Sequence, residues 1–148
     1  MPGWKDWFGP SPGQFSPFEA TAAAPGAGST PAINVAAGEW WRLVQVACTL
    51  TTSAVVASRR ARLILTATGG NFLDVYANGV QLAGTTHRYL WTRGVGAPYT
   101  EATLALVVHM LPLPDFIVPP GQAIQIAQEN LDAGDTWGIT TVVYEQAF

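Results

Sequence analysis

Residues able to do chemistry are few in this chain. His87 and His109 sit within expected strands with no His or Cys partner at ligand spacing. A tetrahedral zinc site takes three or four such ligands, so no metal is expected. Cys48 is the single cysteine and sits in an apolar run between Ala47 and Thr49. It reads as a small buried hydrophobe rather than a reactive thiol, and it has no disulfide partner within the chain. Asp132 and Asp135 flank Ala133-Gly134. Carboxylates bind calcium, but two are too few, and a polar hairpin turn accounts for them better. Gly94-Val95-Gly96 is followed by Pro98 and a strand pattern, which deny it the helix that a phosphate-binding loop needs. Ten acidic residues would permit a glycosidase pair, yet no spacing singles one out. No nucleophile elbow and no Walker loop occurs. No catalytic residue and no cofactor is therefore assigned, and the chain is not expected to be an enzyme.

Arg59, Arg60 and Arg62 form the one basic cluster. On a strand Arg60 and Arg62 point one way and Arg59 the other. Pairing with the protein's own acids is favoured over a partner's. Trp40 and Trp41 are placed on opposite strand faces, one in the core and one nearer the surface. Trp91 and Trp137 could stack on sugar rings, but core or interface packing is the commoner use of Trp.

The composition narrows the partners. Only 11% of the 148 residues are charged and 49% are apolar, with six Trp and a net charge of −3. One Lys and six Arg make no basic stripe, so nucleic acid is not an expected partner. No run reaches the ~18 apolar residues of a membrane span, and the start of the chain lacks the pattern of a secretory signal. Synthesis in a reducing cytoplasm is expected. So little charge and so much Trp suggest surface hidden against other chains.

Residues 1–31 hold six of the eleven prolines and five glycines, so no regular element is expected there. Trp4, Trp7, Phe8, Phe15 and Phe18 punctuate this segment. Aromatics along a Pro-rich chain look like anchors that dock on a surface, either a neighbour's or the domain's own. Residues 20–30 read as a spacer. From residue 32 to 148 the pattern is β throughout. Strands are expected at 39–50, 60–68, 72–77, 80–83, 85–92, 103–110, 123–130 and 137–145, with Asn78-Gly79 as a hairpin turn. Eight or so strands with turns about every ten residues predict an all-β antiparallel sandwich or barrel carrying an extended N-terminal arm. A short echo links Val35-Ala36-Ala37-Gly38-Glu39-Trp40 with Val118-Pro119-Pro120-Gly121-Gln122-Ala123. Each ends a turn in Gly and launches a strand, as equivalent positions in two halves of a sandwich would.

Three stretches, CTLTTSAVVASRRARLILT, LPLPDFIVPPGQAIQI and ENLDAGDTW, resemble small virion structural proteins of tailed bacteriophages. The matching positions are Thr51, Thr52, Arg59, Arg60, Leu111, Pro112, Pro114, Asp115, Pro119, Pro120, Gly121, Asn130, Ala133, Gly134, Asp135 and Trp137. They span roughly residues 35–145 and leave the arm uncovered. The resemblance implies a jelly-roll-like β-sandwich in a virion, often oligomeric. The expected function is that of a capsid decoration, or cement, protein, a homotrimer that binds the major capsid protein or other virion proteins. The alternative is a tail or fibre module that recognises host glycans through aromatic side chains on loops.

Overall fold

The long apolar run after residue 40 becomes the central strand of the protein. A computed structural model describes residues 17–67, 70–103 and 106–147, and every strand or helix found among them is a β-strand. In chain order these are β1 (Phe18–Ala22), β2 (Ala32–Asn34), β3 (Trp41–Thr51), β4 (Ala61–Ala67), β5 (Gly70–Tyr76) and β6 (Thr86–Arg93). They continue as β7 (Tyr99–Ala102), β8 (Val107–Leu113), β9 (Ile117–Val118), β10 (Ala123–Gln128), β11 (Thr136–Trp137) and β12 (Thr140–Gln146). One sheet has the order β1-β12-β3-β6-β8-β7, with β9 and β11 paired to opposite ends of β3. The other has the order β2-β10-β4-β5.

Both sheets face a single core. Leu63, Leu65, Ile124 and Ile126 of the smaller sheet meet Leu43, Val46, Leu50, Trp91 and Leu111 of the larger one, all essentially without solvent contact. Each such aliphatic side chain contributes roughly 1.5–3 kcal/mol on burial. Trp91 Nε1 donates to Val75 O at 3.2 Å and so ties the sheets together. The buried face of β3 changes phase along its length. Trp41 and Leu43 point inward, and so do Val46, Cys48 and Leu50. A β-bulge resolves the mismatch: Tyr144 pairs with Leu43 and Val143 with Gln45, leaving Val44 as the extra residue.

Besides short strands absent from the sequence reading and a strand expected at 103–110 that lies at Val107–Leu113, four features depart from it. First, residues 18–22 are not irregular but form β1, antiparallel to β12 from Phe18↔Tyr144 to Ala22↔Thr140. The stretch between Pro17 and Pro25 has no proline, so its backbone donors are free to pair. Second, residues 23–31 are held rather than loose: Gly28 N–H donates to Asp135 O at 2.8 Å, and Ile126 N–H to Pro31 O at 3.1 Å. Third, the pairing is not wholly antiparallel. β6 and β8 run parallel, because β7 lies outside β8 and the chain returns between them. Fourth, residues 80–83 make only one bridge, Arg59↔Gln81, and the Asn78-Gly79 turn carries the chain from one sheet to the other instead of closing a hairpin.

The internal echo is structural. Glu39 N–H donates to Ala36 O and Gln122 N–H to Pro119 O, closing two four-residue turns. Gly38 (φ 80°) and Gly121 (φ 73°) occupy the same left-handed position in each, which other residues adopt at a cost. One turn leads into β3 and the other into β10, one strand in each sheet, and Val35 N–H···O Gln122 joins them.

Candidate partner-binding surface

Of the five expected anchors, Trp4, Trp7, Phe8 and Phe15 lie outside the described residues. Phe18 opens β1 opposite Tyr144. Its ring stacks on Tyr144 at 5.7 Å between centroids, and Tyr144 stacks on Trp41 at 3.9 Å. Trp41 Nε1 donates to Glu39 Oε2 at 2.6 Å. The stack is buried at Trp41 and 49% exposed at Phe18, so it is open where the preceding chain leaves. Neighbouring Trp40 points the other way and is 44% exposed, which separates the Trp pair as the strand alternation requires.

A cavity of about 530 Å³ opens at the same end of the larger sheet, lined by Arg42, Arg93, Asp115, Ile117 and Glu145 among others. Arg42 grips Asp115 through two parallel bonds, Nε–Oδ1 at 2.7 Å and Nη2–Oδ2 at 2.5 Å. Arg93 Nη2 donates to Glu145 Oε1 at 3.0 Å. The bond and charge of Arg42 hold the Asp115 carboxyl below its ordinary range, and Asp115 in turn raises the guanidinium. Two cations face two anions, so the cavity has no net charge with which to select a charged ligand.

The opposite end is organised by a buried ion pair that joins two stretches carrying the resemblance. Arg59 and Asp135 have fully buried side chains, with Nε–Oδ2 and Nη2–Oδ1 both at 3.1 Å. Arg59 also donates to Val55 O, Ala57 O and Ser53 Oγ. Asp135 accepts from Ser53 N, Asp132 N and Gln128 Nε2. Burial pushes the Asp135 carboxyl up, but the Ser53 and Asp132 amides and Arg59 outweigh it and leave it below the ordinary value. Asp132 and Asp135 thus build a turn, and Arg59 and Arg62 of the cluster pair with the protein's own acids, while Arg60 Nε donates to Ala77 O. Arg62 reaches Asp74 at 3.7 Å, while Arg60 and Arg62 both lie over the Tyr76 ring.

The histidines are not unpartnered. His87 Nδ1 and His109 Nε2 lie 2.9 Å apart across β6 and β8, and His109 Nδ1 meets Thr100 Oγ1 at 3.0 Å. Tyr89 stacks on His109 and donates to Gln81 Oε1. Residue spacing did not signal this pair, because the parallel register that brings the two rings together arises from the returning β7–β8 unit. Among the described residues no group of three or more His, Cys, Asp or Glu side chains gathers. Cys48 is buried and accepts from Thr140 Oγ1 at 3.2 Å, and burial raises its pKa. Trp91 and Trp137 are core residues without exposed faces, so neither is available to a sugar.

Neither known protein families nor curated proteins include a match to this chain.

Proposed function

We propose that the chain is a structural protein of a tailed-phage virion, a decoration protein that binds the assembled capsid and stabilises it as a homotrimer. In this reading its two sheets form a jelly-roll-like sandwich. The observation that carries it is the root of the arm. β1 fixes the chain to the edge of the larger sheet and leaves Phe18 half exposed at the open end of an aromatic stack. Trp4, Trp7, Phe8 and Phe15 precede that fixed point in the sequence. Burying an aromatic side chain contributes roughly 1.5–3 kcal/mol, enough for several to decide attachment after ordering costs. A subunit that binds only the assembled shell stabilises that shell by mass action, and a trimer adds avidity. The test is to strip phage heads of the protein, add back the purified chain and heat them. Restored heat resistance supports the proposal, and heads equally stable with and without the protein overturn it.

A second reading, a tail or fibre module for host glycans, is favoured by exposed Trp40 beside Glu39 and the Arg42–Asp115 cavity at one sandwich end. Binding of purified protein to host-surface glycans, lost in Trp40→Ala, would support it over the first.

A further inference from the structure

The end of the sandwich that holds the Arg59–Asp135 pair is also an apolar surface. Val56 is 94% exposed and Leu82 62% exposed, and Val55, Val80 and Leu131 are exposed with them. The loops 53–58 and 77–85 that carry most of these residues contain no charged residue. They are also tightly held. Arg59 and Gln81 exchange backbone bonds at 3.0 and 2.7 Å, and Gly84 N–H donates to Ser53 O at 2.8 Å. Thr52 Oγ1 donates to Leu82 O and Asn130 Nδ2 to Ser58 O. A scattered exposed aliphatic needs no explanation, but five on three loops locked together form a patch. A patch already ordered does not pay the ordering cost on binding.

The occupant follows from where the chain outside the structure begins. β1 enters the sheet beside Tyr144, at the end opposite this tip, and runs toward it. The chain therefore enters β1 at the end of the sheet farther from its own tip. The two ends are separated by the length of β3, eleven residues, or about 35 Å at ~3.3 Å per residue. Any sixteen-residue chain can span up to about 50 Å at the polyproline II rise, more than that separation. The side chains of residues 1–16 include Trp4, Trp7, Phe8 and Phe15 against one Lys and one Asp, matching a surface that is uncharged on loops 53–58 and 77–85 and carries Glu129 and Asp132 beside Leu131. We propose that the tip formed by Val55, Val56, Val80, Leu82 and Leu131 receives residues 1–16 of a second copy of the chain, so that copies associate head to tail. This rests on reading those residues as an arm that docks in trans. It names the surface they dock on.

The test uses two full-length variants. One carries Val56→Asp and Leu82→Asp at the tip, exposed positions whose substitution leaves the fold intact. The other carries Trp4→Ser, Trp7→Ser and Phe8→Ser in the arm. Sedimentation velocity should show wild-type chains associating and each variant at least tenfold weaker. Mixing the two variants should give 1:1 dimers, because one intact arm then meets one intact tip. Circular dichroism of each variant checks the fold. A monomeric wild type, or tip variants that associate like wild type, overturns the proposal. Variants that stay monomeric on mixing overturn it too. Loss of head binding in the arm variant with unchanged self-association would keep the arm reading and discard this surface.

Discussion

His87 Nδ1 and His109 Nε2 face each other at 2.9 Å, within hydrogen-bonding distance, across the parallel β6–β8 pair. The other groups bonded or stacked against these rings, Thr100 and Tyr89, are neutral. Burial lowers both pKa values, and the neighbouring ring's charge lowers that of His109 further. A group with a depressed folded pKa binds more protons when unfolded, so stability falls as pH drops. Stability should be greatest above pH ~6.5, the unfolded histidine value, and decline on acidification below it. Asp135, also depressed, adds a separate loss below the ordinary carboxyl range near 3.8. Thermal melts from pH 8 to 3 check this. His87→Gln with His109→Gln should remove the first decline and leave the second.

Asp135→Asn should be among the most damaging conservative changes. It leaves the Arg59 guanidinium, fully buried, without its counter-charge. Removing one partner of a buried pair costs about 3–5 kcal/mol, which a urea titration will read as a lowered midpoint. Arg62→Met, at the half-exposed contact with Asp74, should change it by no more than ~1 kcal/mol.

Gly134 is required for space. A Cβ there would lie 2.9 Å from Ser53 Cβ and 3.3 Å from Asp132 Oδ1. Ser53 is also the residue that bonds both Arg59 and Asp135. Gly134→Ala should destabilise by about 1–3 kcal/mol. Gly26→Ala, with nothing within 4 Å of the new methyl, serves as the neutral control in the same titration.

Deleting residues 1–16 should leave the melting temperature nearly unchanged, since Phe18 and β1 remain on β12, while the proposed binding to heads should weaken. Deleting residues 1–22 removes β1 itself and should lower the melting temperature. If the shorter deletion also unfolds the protein, the first sixteen residues belong to its core.

Strand positions were legible where alternation or an apolar run was strong. The expected strands at 39–50, 60–68 and 85–92 lie over β3, β4 and β6. Trp40 and Trp41 separate as alternation demands. The Gly38 and Gly121 turns were visible because a left-handed residue leaves a glycine behind. What stayed hidden depends on distant residues. β1, β2, β7 and β9 are short edge or end strands specified by their neighbours rather than by their own pattern. The bulge at Val44 and the parallel β6–β8 pair arise from pairing register. The His pair and the Arg59–Asp135 bond, whose partners stand far apart in the chain, follow from the same long-range placement.

The claim that this chain decorates a capsid is tested most directly by an electron-microscopic reconstruction of the phage particle incubated with the purified protein. Density of this two-sheet domain is expected on the outer surface of the head, at positions where shell subunits meet. Density confined to the tail tip, or none on the head, would contradict it.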